Sequence, residues 1–174
     1  MNKVFASQTT SNKRIEKVIT RNKIKESQRN ALAYGLNLLL SDLCNSYLKT
    51  KSYHWNAKEV VYRTFHEMFE SQYTDLATAF DLVAGRIRAL GFPAPVSEVQ
   101  FNDPRALKET SGAIKSQEMI KDILEDQETI IRRALTIFPV AEKAKDEETK
   151  DLMIKRIQVH EKMASTLRDL LIQY

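Results

Sequence analysis

One cysteine, four glycines and four prolines in 174 residues remove several kinds of protein at once. A lone Cys44 excludes an internal disulfide framework and any zinc site built from several cysteines. Set between Leu43 and Asn45 in an amphipathic stretch, it reads as a small buried filler. Gly and Pro together hold under half their usual share, against a sandwich or barrel with many tight turns and against a Pro- or Gly-rich disordered chain. No apolar run reaches the roughly 18 residues of a membrane span; the best, 31–40, is broken by Tyr34, Gly35 and Asn37. No apolar stretch precedes the N-terminal basic residues, so no secretory signal is legible and the expected location is the cytoplasm.

What is present suits helices. Hydrophobic residues make up 43% and charged residues 29% of the chain, enough for one core and for the solvated faces around it. The length corresponds to about one domain. The net charge of +4 is unevenly spread: residues 1–30 hold eight basic residues against Glu16 and Glu26, which leaves the remainder mildly acidic. Residues 1–26 therefore read as a flexible basic arm on a body spanning 27–174. Lys3, Lys13, Arg14, Lys17, Arg21, Lys23 and Lys25 could neutralise nucleic-acid phosphates without reading sequence. A solvated tail, or a strap over a neighbouring subunit, is the competing reading of the same residues.

Four segments carry helical periodicity. Leu32, Leu36, Leu39, Leu43 and Tyr47 form the first stripe, and one further heptad lands on His54. The second runs from Val61 through Phe65, Phe69, Tyr73, Leu76, Phe80, Val83 and Ile87 to Leu90. Asn56 with Glu59 offers it a capping box, and Gly91 with Pro93 its stop. Residues 91–113 form the longest link, with a short helix expected around 97–102. Ile120, Ile123, Ile130, Ala134 and Phe138 mark the third helix, interrupted by polar Gln127, and Pro139 is expected to kink or end it. Met153, Ile157, His160, Ala164, Leu167 and Leu171 mark the fourth, with Asp146 as N-cap. Such a pattern predicts an all-α four-helix bundle, and the long link permits the crossover of ferritin-like bundles.

His54 and His66 lie 12 residues apart around the first helix–helix turn, and His66 shares a helix face with Glu70. Asp81 returns to nearly the same angle, but at about 1.5 Å per residue it lies roughly 22 Å along the axis from His66. One straight helix cannot bring both to one ion; two chains paired antiparallel about a two-fold axis can. Imidazoles with carboxylates and open positions suit Fe(II), or the histidines simply cap or line a helix junction. The Glu-x-x-His motif of an in-bundle di-iron site is absent, since Lys51, Arg63 and Ile157 precede the three histidines by three. His160, on the apolar stripe of the fourth helix, reads as a hydrogen-bonded core histidine.

The stretches KSYHWN (51–56), HEMFE (66–70) and DLVAGRIRALG (81–91) resemble the signature of the Dps family, the DNA-protecting mini-ferritins. DEETKDL (146–152) and HEK (160–162) match its C-terminal spacing, so that the resemblance covers about residues 30–172. It implies a hollow twelve-subunit shell, soluble in the bacterial cytoplasm or nucleoid, that stores iron and protects DNA. It also implies ferroxidase sites at two-fold interfaces, using hydrogen peroxide. His54, His66 and Glu70 would come from one subunit and Asp81 from its mate, with iron bound and zinc as the other candidate. Trp55 would sit beside the metal and could absorb an oxidising equivalent; its bulk equally suits a packed core or interface. Glu142, Glu147 and Asp151 would line the three-fold pore through which iron enters. The pattern departs at Gly85, where the family has Glu, and at Ser165, where it commonly has Trp. Loss of the carboxylate at Gly85 argues against ordinary ferroxidase activity and opens two alternatives, a DNA-compacting shell with a degraded site and a shell that binds another divalent metal.

Overall fold

The structure, a computed structural model, describes residues 24–56, 62–95 and 116–173. These form four helices, α1 (Glu26–Asn56), α2 (Tyr62–Ala89), α3 (Ser116–Ala144) and α4 (Glu147–Gln173), and no strand among the described residues. Most of the basic arm, Glu59 of the expected capping box and the short helix expected around 97–102 lie outside them. Lys25 lies inside, at the start of α1, where its backbone amide donates to Gln28 Oε1. Gln28 in turn donates from Nε2 to the Lys143 carbonyl, fastening the start of α1 to the end of α3.

The cross-helix pairs give the topology. Between α1 and α2, His54 meets His66 and Tyr47 meets Tyr73, so residue numbers rise on one helix as they fall on the other. Between α1 and α3 the same holds: Asp42 pairs with Arg133, Lys49 with Asp126, and Tyr53 with Asp122. Both α2 and α3 are therefore antiparallel to α1 and parallel to each other. The link between them must travel back along the whole bundle, about 42 Å for the 28 residues of α2. This is the ferritin-like crossover expected from the length of the link. Arg156–Asp75 and Arg168–Glu128 show α4 running antiparallel to both α2 and α3.

The helix ends are chemically specified. Gly91, at φ 94°, closes α2 with a pair of bonds, Gly91 N–H to Arg88 and Phe92 N–H to Ile87. This is the Schellman arrangement, in which a left-handed residue turns the chain so that orphan carbonyls find donors. The same pair closes α3, from Lys145 to Glu142 and from Asp146 to Ala141, with Lys145 at φ 56° in the place glycine usually takes. Asp146 then caps α4: its carboxylate accepts from the Thr149 amide at 3.2 Å and the Thr149 hydroxyl at 2.6 Å. Arg86 of α2, buried, donates to that same carboxylate at 2.6 Å, to Thr149 and to Glu148. The N-cap therefore also ties the α3–α4 turn to α2.

Pro139 neither ends α3 nor shortens it; the helix runs five residues further, to Ala144. The carbonyl that loses its partner belongs to Leu135, and both residues face solvent, where water supplies the missing donor. Cys44 is half-buried rather than the enclosed filler expected. The apolar interior has two parts. One gathers Leu36, Leu40, Leu76, Val83, Ile130, Ile137 and Met153; the other gathers Tyr53, Phe65, Phe69, Ile120, Ile123 and Leu167. At levels between them in the sequence stand buried polar groups, Lys49–Asp126 at 2.8 Å and His160–Gln127 at 2.5 Å. Gln127 breaks the apolar stripe of α3 because it is the partner of His160. The second apolar part lies beside the end of α1 that carries His54.

Candidate metal centre

His54 arrives in the last turn of α1 and His66 in the second turn of α2, which places two imidazoles on either side of the helix–helix turn. Their ring centroids are 3.6 Å apart with the planes tilted by 32°. His54 is only 8% exposed, and its Nδ1 lies 3.1 Å from the His66 carbonyl oxygen. A carbonyl can only accept, so Nδ1 carries a proton, and in the neutral ring Nε2 is the nitrogen with the lone pair. A backbone acceptor on one ring nitrogen is the usual way to fix the tautomer and aim the other nitrogen at a metal. Tyr73, a heptad beyond His66, sets its ring edge-on to His54 at 5.2 Å.

The carboxylates are arranged differently. Glu70 follows His66 by one turn and is exposed, and Asp81 is exposed much further along α2. Among the described residues, no three His, Cys, Asp or Glu side chains of this one chain gather where a metal could be held. The fold thus brings His54 and His66 together and keeps Asp81 away from them, as helix geometry requires. The donor types, imidazole nitrogen with carboxylate oxygen, fit Fe(II) or Zn(II).

Gly85 faces solvent one turn beyond Asp81. A Cβ added there would meet no atom within 4 Å, and its backbone lacks the positive φ seen at Gly91. Neither close packing within the chain nor backbone conformation calls for glycine at this point. Trp55, 67% exposed, lies outside the core of the single chain. His160 has no part in the centre: it is fully buried against Gln127, and burial, aided by the Arg156 charge, lowers its pKa to about 3.

The acidic residues at the α3–α4 turn, Glu142, Glu147 and Asp151, are all exposed. Lys150 reaches between two of them, 3.1 Å from Glu147 and 4.0 Å from Glu142. Sequence reasoning passed over this lysine, and it passed over a cluster beside the histidines. Lys51 donates to the Tyr47 hydroxyl at 3.0 Å and lies over the rings of Tyr47, Tyr73 and Trp55. The signal for three of these four residues was legible: Tyr47, Lys51 and Trp55 follow one another at i, i+4 spacing.

Comparison with known proteins bears on the fold and the family. The sequence pattern described as a ferritin-like domain matches residues 34–173. The chain is 32% identical over 139 residues to an uncharacterised low temperature-induced protein of Nostoc, covering 76% of this chain and 77% of that protein. It is 30% identical over 149 residues to the DNA protection during starvation protein of Porphyromonas gingivalis, covering 86% and 94% respectively. The solved Dps protein of Vibrio cholerae O1, a member of the ferritin-like diiron-carboxylate proteins, superposes with a TM-score of 0.81 at 28% identity. That match covers 85% of this chain and 93% of the other.

Proposed function

This chain belongs to the ferritin-like family, among its DNA protection during starvation (Dps) members, and on that premise we propose that it stores iron and protects DNA by oxidising Fe(II) at sites shared between subunits of a hollow twelve-chain shell. The observation that carries this reading is the His54–His66 pair, with His54 held in the tautomer that leaves Nε2 a lone pair for metal. His54, His66 and Glu70 of one subunit face Asp81 of its two-fold mate, and iron is the substrate. Two Fe(II) ions each give up one electron to hydrogen peroxide, which takes two protons and leaves as two waters. Spending peroxide and Fe(II) together removes both ingredients of hydroxyl-radical chemistry near DNA. Ferric product collects inside the shell, and Glu142, Glu147 and Asp151 draw cations toward the pore by lowering the local potential.

Gly85 sets the pace in this scheme. Its missing carboxylate leaves the second iron with one oxygen donor and one negative charge fewer. Anaerobic Fe(II), mixed with the purified protein and then with stoichiometric peroxide, tests the scheme through ferric absorbance. Wild type oxidises slowly, Gly85→Glu oxidises at least severalfold faster, and His54→Ala/His66→Ala falls to the rate of free iron. Equal rates in the wild type and the double-histidine variant would overturn the site.

The same glycine favours a second reading, a shell whose site is vestigial and whose basic arm compacts DNA. Removing residues 1–25 then abolishes salt-sensitive retardation of DNA, while unchanged retardation excludes the arm. Metal analysis of the purified protein, with Fe(II) competing, separates iron from Zn(II) as the bound ion.

A further inference from the structure

The Lys51 ammonium lies over three aromatic rings beside the histidine pair. Its Nζ lies 5.3 Å from the centroid of Tyr47, 5.4 Å from Tyr73 and 5.7 Å from Trp55, and it donates to the Tyr47 hydroxyl at 3.0 Å. Tyr47 and Trp55 flank Lys51 one turn either way on α1, and Tyr73 reaches in from α2, crossing Tyr47 edge-on at 6.3 Å. Tyr73 also touches the His54 ring at 5.2 Å. Oxidisable rings therefore run from the imidazole pair through Tyr73 to Tyr47, and exposed Trp55 stands on the other side of Lys51, whose one positive charge faces all three.

A cation over a ring face is attracted by the electrons of the ring. Removing an electron turns that attraction into repulsion, because the ring now carries a positive charge about 5 to 6 Å from the ammonium. A ring with that positive neighbour is harder to oxidise. Tyr47 has a further obstacle: its oxygen already accepts from Lys51, and an ammonium cannot take the proton a tyrosine must lose on oxidation.

We propose that Lys51 is a protecting residue, whose charge keeps oxidising equivalents generated beside His54 and His66 from passing into Tyr73, Tyr47 and Trp55. The inference rests on the reading of the histidine pair as the place where Fe(II) meets peroxide. The reaction it opposes balances as follows. One Fe(II) gives one electron to hydrogen peroxide, leaving Fe(III), hydroxide and hydroxyl radical; the radical then takes an electron from a ring, leaving hydroxide and a ring radical cation. Where Gly85 weakens the hold on the second Fe(II), the first ion reacts alone more often, and the Tyr73 ring against His54 is an electron source within reach. With the rings made resistant, a second Fe(II) reduces the radical instead, leaving Fe(III) and hydroxide.

The test compares wild type, Lys51→Met, which keeps the bulk without the charge, and Lys51→Arg, which keeps the charge. Trp55 is the chain's only tryptophan, so its fluorescence reports the end of the cluster directly. Hexachloroiridate, a one-electron oxidant that needs no metal site, is applied first to iron-free protein at low salt. Lys51→Met loses Trp55 fluorescence at least threefold faster than wild type, and Lys51→Arg stays within twofold of it. Salt near 1 M narrows the difference, since screening weakens an exposed charge. Identical decay in wild type and Lys51→Met overturns the proposal.

Fe(II) and peroxide are applied second, and oxidised Tyr73, Tyr47 and Trp55 are counted by mass spectrometry of peptides. Lys51→Met raises oxidation at these three residues above that at the remaining tyrosines. A rise spread evenly over all tyrosines, with the hexachloroiridate result intact, leaves the protecting charge standing and instead removes the histidine pair as the source of oxidant.

Discussion

His160 is fully buried, with its Nδ1 hydrogen bonded to Gln127 Oε1 at 2.5 Å, and its pKa is held at about 3 against 6.5 in an unfolded chain. Between those values the unfolded chain binds a proton that the folded chain refuses. Its stabilising contribution is complete above about pH 6.5 and drains away as pH falls toward 3. At roughly 1.4 kcal/mol per pH unit, the loss by pH 4 is about 3 kcal/mol. Asp126 works the other way. Burial pushes it up to about 6 in spite of Lys49 at 2.8 Å, so its charged form burdens the fold above that pH. Relief between pH 6 and 4 is worth about 3 kcal/mol, and the two effects nearly cancel in the wild type. Gln127→Leu/His160→Leu removes one of them without orphaning a buried partner, because both polar groups leave together. Urea unfolding at fixed chain concentration, followed by circular dichroism at pH 7 and pH 4, reads the difference. Relative to wild type, the double variant gains about 3 kcal/mol on acidification. A difference that stays flat from pH 7 to 4 refutes the assignment of a neutral buried His160.

The same glycine-to-alanine change has opposite effects at two helical sites. Gly85→Ala raises stability by about 0.5–1 kcal/mol, since its Cβ enters open space and alanine is the better helix former. Gly35→Ala lowers it by about 1–3 kcal/mol, because its Cβ would lie 2.9 Å from Ile137 Cγ1 where α1 crosses α3; thermal unfolding of both variants distinguishes them by sign. Asp146→Ala removes the cap of α4 and one of the two carboxylates on the buried Arg86 guanidinium, which keeps Glu148 and Thr149, costing about 2–3 kcal/mol in urea unfolding, whereas loss of the cap alone would cost about 1 kcal/mol.

Much of the fold was legible in the apolar stripes, because helices that bury one face must repeat near 3.6 residues. Gly91 and Asp146 were equally legible, since a left-handed stop and an N-cap draw on few residue types. Pro139 does not end the helix, as one of its two expected effects would have it, because the cost of proline depends on whether the freed carbonyl reaches water, and a sequence does not display which side of a helix is wet. Lys145 in a left-handed turn carries no signal at all, as lysine there is tolerated rather than preferred. Gln127 looked like a fault in the third stripe until its partner, 33 residues away, was in place. The histidine pair could be read from spacing around the helix–helix turn. Lys51 was noticed only as the residue that is not Glu. Its partners Tyr47 and Trp55 were already in view on the same helix face, but Tyr73 joins them only through the packing of α2 on α1. The carboxylate side of the centre was visible only as a distance that one chain cannot close.

That distance also supplies the most direct test of the account. Chains carrying His54→Ala/His66→Ala and chains carrying Asp81→Asn are each expected to lose Fe(II) oxidation when assembled alone. If each site takes its imidazoles from one subunit and Asp81 from the mate, a mixed pair regains one intact site of its two. Random co-assembly of equal amounts should then restore about a quarter of the wild-type sites, read as ferric absorbance after peroxide. No recovery in the mixed shells, with both chains shown to be present, would contradict a site shared between subunits.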